Sequence, residues 1–111
     1  MNQKSRLQKL GRIAEMVRDH ELARLNRLAA AQDKTREKLA ALPMHTIASQ
    51  DPALMSIQQA HLQWAAKQRM QLNLILARQR AALLEQRRKS ARSFGRAEAV
   101  ARLTERDSNK P

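Results

Sequence analysis

The side chains that could carry out chemistry in this 111-residue chain are three histidines, ten acidic residues and a large excess of cations. His20, His45 and His61 do not have the close spacing that places two ligands on one helical turn. The sequence has no cysteine, which excludes disulfides and thiol chemistry, and it has no glycine-rich phosphate loop. The carboxylates mostly stand beside cations, as on a solvated helix face. We therefore predict a protein that is not an enzyme and that uses no metal or cofactor.

The strongest chemical signal is the net charge of +12, most of which comes from the two ends of the sequence. The segment RQRAALLEQRRKSARSFGR, residues 78–96, has seven cations and one anion. At helical spacing Arg88, Lys89, Arg92 and Arg96 form one basic ridge. This ridge is either a solubilising surface or a docking site for an acidic protein or for phosphate, and the sequence leaves both interpretations open.

Charge alone would carry any binding to nucleic acid. The ridge has a single aromatic residue, Phe94, on which a base could stack. Binding to a membrane surface would require a wide apolar face opposite the charge, and few large apolar residues are available there. The ridge therefore predicts at most a weak affinity for polyanions.

Helices must position these residues, because strong helix formers dominate and only the segment AALPMHTIASQDPALM interrupts them. Pro43 should end the first helix, and Asp51 followed by Pro52 is typical of a helix N-terminus. We predict an all-α fold in which two long helices form an antiparallel coiled-coil hairpin, the second helix being longer. The predicted parts are a helix over about 5–42, a tip over 43–51, a helix over about 52–106 and a disordered tail over 107–111. The alternative is an extended chain that uses both helices in an oligomer.

Two apolar stripes define the predicted pairing. In the first helix, a Ser5–Gln8 capping box precedes a stripe that is irregular near Glu21. Its members are Leu7, Leu10, Ala14, Val17, Glu21, Leu25, Leu28, Gln32, Thr35, Leu39 and Leu42. The second stripe has a mean spacing between the 7- and 11-residue repeats, which predicts weak supercoiling. Its members are Leu54, Ile57, His61, Ala65, Gln68, Leu72, Ile75, Gln79, Leu83, Gln86, Ser90, Phe94, Ala97, Ala101 and Thr104.

A tight reversal at residues 43–51 would place Leu42 near Leu54 and Leu25 near Leu72. Because the second helix is longer, residues 92–106 would then extend beyond the first helix without a partner in the monomer. This overhang is predicted to order against a binding partner. The predicted partner-binding residues combine the ridge with the large apolar residues of the overhang: Arg88, Lys89, Arg92, Phe94, Arg96, Val100 and Leu103.

The layout also resembles a known family. The N-terminal segment RLQKLGRIAEMVRDHELARLNRLAAA, a short tip and a longer return helix are similar to the FliJ-type stalk proteins of flagellar and type III export. The resemblance extends over nearly the whole chain. It implies an antiparallel coiled coil that contacts a hexameric export ATPase and the export gate. It also implies that Arg6–Val17 and Phe94–Leu103 form the end facing the ATPase.

Three functional hypotheses follow. The leading one is a non-catalytic stalk or adaptor in flagellar-type protein export. The second is a basic helical protein associated with nucleic acid or the ribosome, and the third is a homo-oligomeric coiled coil. The sequence has no apolar run of membrane-spanning length and its first residues lack an apolar signal core, so a cytoplasmic location is predicted.

Overall fold

The computed structural model describes residues 2–109 and contains two long α-helices, α1 (Gln3–Ala40) and α2 (Pro52–Ser108). The helices pair antiparallel as a coiled-coil hairpin in which α2 is the longer, which confirms the predicted fold class. No helix within residues 2–109 combines the length and the apolarity that crossing a lipid bilayer requires.

Local side-chain chemistry sets the helix ends. At α2, the Ala53 N–H donates to Asp51 Oδ1 at 3.0 Å, so Asp51 is the N-cap and Pro52 the first helical residue, as predicted. At α1, the Ser5 N–H donates to Asn2 Oδ1 at 2.8 Å. Asn2 is therefore the cap, and the predicted capping box starting at Ser5 is wrong because Ser5 already lies inside the helix.

The C-terminal end of α2 also differs from the prediction. Asp107 and Ser108 belong to the helix, so the predicted disordered tail is wrong for these two residues. The Thr104 and Ser108 hydroxyls donate to the carbonyl oxygens four residues earlier in this last part of the helix. Lys110 and Pro111, for which the same tail was predicted, lie outside the described residues.

The less exposed positions of α2 follow a strict seven-residue repeat, which we call the α2 seam. Steps of three and four residues alternate from Met55 to Asp107 without a break, so the predicted longer repeat is wrong. The seam consists of Met55, Gln58, Leu62, Ala65, Arg69, Leu72, Leu76, Gln79, Leu83, Gln86, Ser90, Ser93, Ala97, Val100, Thr104 and Asp107.

The α1 seam follows the same repeat. It consists of Leu7, Gly11, Ala14, Arg18, Glu21, Leu25, Leu28, Gln32, Thr35 and Leu39, of which only Arg18 is exposed, and Leu42 continues it just beyond the helix. The repeat uses the half-buried Gly11 where the sequence favoured Leu10, which is 51% exposed. Near the predicted irregularity at Glu21, Val17 and the Arg18 side chain are both exposed, at 42% and 47%, so the seam has no buried residue between Ala14 and Glu21.

The chain forms two compact units. The terminal unit combines the chain up to Ala29 with the chain from Ala82, and the loop unit is Ala30–Ala81. In the loop unit Gln32, Thr35, Ala65 and Leu76 are buried. The Gln79 side-chain N–H donates to the Ala31 carbonyl oxygen at 3.4 Å, which fixes the pairing of the two helices there.

The observed register differs from the predicted one by about two heptads. In the terminal unit, Gln86 contacts Glu21, and Val100 lies opposite Gly11. Continuing both seams places Leu25 level with Gln86 rather than with Leu72, a shift of about 21 Å along α2. Residues 92–106 therefore pair with the first turns of α1, and the predicted unpaired overhang is wrong.

The connection between the helices explains this shift. Pro43 accepts a hydrogen bond at its carbonyl oxygen from Arg69 Nη2 at 3.3 Å, and residues 45–47 border a small cavity with Gln58, His61 and Leu62. The connection therefore runs back along the first turns of α2 instead of reversing tightly. An extended residue advances about 3.3 Å and a helical residue about 1.5 Å, so nine extended residues span roughly twenty helical ones.

Candidate docking surface

The seam of the terminal unit is built mostly from small and polar residues. Gly11 and Ala14 lie on the α1 side, and Ser90, Ser93 and Ala97 are buried on the α2 side. Small side chains let two helices approach closely, but they remove little apolar surface from water. The stretch of the coiled coil that these residues form therefore gains little stability from its own interior.

A polar layer crosses this seam. The buried side chain of Gln86 donates from Nε2 to the Glu21 carbonyl oxygen at 3.3 Å, and the same group contacts the Glu21 carboxylate. Ser90 Oγ lies 3.4 Å from the same amide nitrogen. A buried hydrogen-bonded group at a seam position favours one register, because a slipped pairing leaves it unsatisfied.

The large apolar side chains of the terminal unit lie mainly outside the seam. Eight of them are between 37% and 69% exposed. They are Leu10, Ile13, Met16, Val17 and Leu22 of α1, and Leu84, Phe94 and Leu103 of α2. Large apolar residues exposed on the flanks of a seam made mostly of small and polar residues are typical of surfaces that another molecule covers.

Phe94 and Leu103 have partners within the monomer, contrary to the prediction. Phe94 borders an open groove of about 650 Å³ together with Glu15, Arg18 and Leu22 of α1. Leu103 borders a smaller opening on the other side of the seam, with Gln3 and Leu7.

Val100 is the third apolar residue predicted to be unpaired, and it lies in the seam itself. It is half-buried and faces Gly11. Of the three predicted apolar anchors, Val100 is thus the one that the hairpin uses for its own pairing. Phe94 and Leu103 remain partly available, since 37% and 49% of their surfaces are exposed.

The basic ridge is exposed along its whole length. Arg88, Lys89, Arg92 and Arg96 all lie on the surface of α2. Arg88 Nη1 is 3.7 Å from Glu85 Oε2, an exposed ion pair of small energetic value. The ridge therefore offers several cations to an acidic partner.

Sequence reasoning missed the part of α1 that lies beside this ridge. Leu10 and Val17 were assigned to the seam, whereas the structure leaves them exposed together with Ile13. The available signal was the strict seven-residue repeat, which continues through Gly11 and Arg18 but not through Leu10 and Val17.

The histidines are distributed over both units. His20 is exposed in the terminal unit, while His45 and His61 border the same small cavity in the loop unit. The His61 ring stacks on Trp64, with ring centroids 5.5 Å apart. Within residues 2–109, no three histidine or acidic side chains come together in a group that could hold a metal ion.

Comparison with protein-family models, with curated proteins and with solved structures yields no match to this chain. The features that bear on the function are therefore the surface of the terminal unit and the resemblance to the export stalk proteins.

Proposed function

We propose that this protein is a non-catalytic, cytoplasmic coiled-coil adaptor that binds partner proteins through its terminal unit. One observation carries the proposal. Eight large apolar side chains of the terminal unit are exposed, while small and polar residues take most of its seam positions. A coiled coil selected only for its own stability would place such residues in the seam, where burial contributes about 25 cal/mol per Å².

The more specific proposal is a stalk or adaptor in flagellar-type protein export, which contacts the hexameric export ATPase and the export gate. The antiparallel hairpin supports it, because this is the fold that the resemblance to FliJ-type stalk proteins implies. The pairing also supports it. Gly11, within Arg6–Val17, lies opposite Val100, within Phe94–Leu103. The two segments that the resemblance assigns to the ATPase-facing end are thus adjacent.

The test is direct binding of the purified full-length protein to the hexameric export ATPase from the same organism. Ile13→Ser removes an apolar side chain that is 57% exposed in the terminal unit, and Leu74→Ser removes one that is 55% exposed in the loop unit. We expect Ile13→Ser to weaken binding about fivefold or more and Leu74→Ser to leave it unchanged. Absence of binding by the unmodified protein would contradict the export assignment, and equal effects of both changes would contradict docking through the terminal unit.

A second candidate function is binding to nucleic acid, which the exposed basic ridge and the net charge of +12 favour. Replacement of Arg88, Lys89, Arg92 and Arg96 by glutamine should then flatten the slope of log affinity against log salt. The expected reduction is at most about 0.9 for each phosphate group that the altered ridge no longer neutralises. An unchanged slope would exclude the ridge as a phosphate-binding site.

A further inference from the structure

The seam divides the surface of the terminal unit into two faces of different charge. Residues that immediately follow seam positions, such as Glu15 and Phe94, border the 650 Å³ groove. Residues that immediately precede seam positions lie on the opposite side of the seam from the groove. Leu103 is one of them, and it borders the smaller opening together with Gln3. We call the second side the basic face. The residues of the basic face are those that immediately precede a seam position. Within residues 6–24 of α1 and 89–106 of α2, none of them is acidic.

The basic face combines an apolar strip with a border of cations. Leu10, Ile13 and Val17 each precede a seam position of α1, and Leu103 precedes one of α2; these four side chains are between 42% and 57% exposed. The cations at the equivalent positions are Arg6, Arg24, Lys89, Arg92, Arg96 and Arg106. The groove face differs, because Glu15, Asp19, Glu98 and Glu105 follow seam positions there.

The spacing of the apolar strip suits a helical partner. Leu10, Ile13 and Val17 are separated by three and four residues, which is the spacing of one face of a helix. A third helix lying along the junction of α1 and α2 would meet these residues on one side and Leu103 on the other. Grooves of this kind bind amphipathic helices through apolar residues at the same spacing.

We infer that the basic face binds an acidic amphipathic helix of a partner protein. Aliphatic side chains of that helix would cover Leu10, Ile13, Val17 and Leu103, and its carboxylates would meet the bordering arginines and lysine. This inference rests on the proposed function, and it specifies the partner by charge and by secondary structure.

The properties of the face argue against other occupants. A second copy that presented the same face would bring the same cations and be repelled. Nucleic acid would engage the cations but leave the aliphatic strip uncovered, and the face has no phenylalanine, tyrosine or tryptophan on which bases could stack. A membrane-binding helix exposes a broad apolar surface, whereas this strip is narrow and lies between cations.

The experiment uses the full-length protein and two synthetic peptides of about 20 residues, long enough to cover about 30 Å as helices. Both peptides carry leucines along one helical face; one has glutamates beside them and the other has lysines. Binding is measured by fluorescence anisotropy at physiological salt. We expect the acidic peptide to bind about tenfold or more tightly than the basic peptide, and circular dichroism should show that it becomes helical when bound.

Matched variants locate the site. Val17→Ser and Leu22→Ser each remove an α1 side chain that is 42% exposed, the first on the basic face and the second on the groove face. Lys89→Gln with Arg96→Gln, and Arg87→Gln with Arg102→Gln, each remove two cations from α2, but only the first pair lies on the basic face. We expect Val17→Ser and the first pair to weaken binding about fivefold to tenfold, and the two controls to change it by less than about twofold.

Several outcomes would overturn the inference. Equal effects of both cation pairs would show attraction by net charge alone. Binding to anionic vesicles or to a DNA duplex that is sensitive to Val17→Ser, without binding of the acidic peptide, would assign the face to a membrane or to nucleic acid. Dissociation of a homodimer by Val17→Ser would assign it to a second copy. If the export ATPase binds equally to Val17→Ser and to the unmodified protein, the proposed function survives and this face is not its docking site.

Discussion

Gly11 of α1 lies opposite Val100 of α2, and a methyl group added at Gly11 would stand 3.8 Å from the Val100 Cγ1 atom. This is an ordinary van der Waals distance, so Gly11→Ala should fit the seam. Gly95, in α2, has no neighbour within 4 Å of such a methyl group and serves as the matched control. Both substitutions to alanine should stabilise the protein by about 0.5–1 kcal/mol through helix propensity, as measured by urea denaturation.

Substitution by a larger side chain should affect the stability of the protein differently at Gly11 and at Gly95. Gly11→Leu would overpack the seam against Val100 and should cost about 1–3 kcal/mol, whereas Gly95→Leu should be neutral or stabilising. Equal effects of the two leucine substitutions would show that Gly11 does not face α2.

Truncation of Phe94 should lower the stability of the monomer. Phe94 is 37% exposed and borders the groove with Leu22, so Phe94→Ala removes packing that the hairpin has without any partner. We expect the free energy of unfolding to fall by about 1–2 kcal/mol, less than the cost for a fully buried phenylalanine. Met16→Ala, at a position 69% exposed, is the control and should change the stability by less than about 0.5 kcal/mol. If Phe94→Ala and the unmodified protein unfold at the same temperature, Phe94 has no packing partner in the monomer, and the prediction of an unpaired overhang would be correct after all.

The polar layer should respond to a double-mutant cycle. Gln86→Leu removes the amide that contacts the Glu21 carboxylate, and it should cost about 1–3 kcal/mol because the carboxylate is left without its donor. Glu21→Leu combined with Gln86→Leu should recover the original stability or exceed it, since two apolar residues can then pack in the seam. Additive effects in the double variant, measured by urea denaturation, would show that the two side chains are not coupled.

Local chemistry made part of the fold predictable from sequence. Asp51 and Pro52 marked the start of α2 because a capping carboxylate and a proline without an N–H group act on their own turn. Helix-forming residues on both sides of one proline-containing interruption were enough to predict a hairpin with a longer second helix.

The register could not be obtained in the same way. The register depends on the path of residues 41–51. The prolines in and next to this segment are compatible both with a tight turn and with an extended connection. The seam added to the difficulty, because choosing the larger residues Leu10 and Val17 over Gly11 and Arg18 rotates the inferred face of α1 by about 100°. The candidate docking surface was therefore only half predicted: the ridge from Arg88 to Arg96 was found, and the apolar residues of α1 beside it were assigned to the interior.

The docking face exists only if the last turns of α2 pair with the first turns of α1. Two pairs of spin labels test this pairing in the full-length protein, which has no native cysteine that would compete for the label. Gln8 and Ala101 border the same groove, whereas Arg87 follows a seam position about two heptads earlier in α2. All three residues are exposed.

We expect labels at positions 8 and 101 to lie within about 20 Å, and labels at positions 8 and 87 about 30 Å apart, from the packing distance and the helical rise. Double electron–electron resonance measures both distances. The reverse order, with the 8–87 pair shorter than the 8–101 pair, would contradict the register and remove the basic face with it.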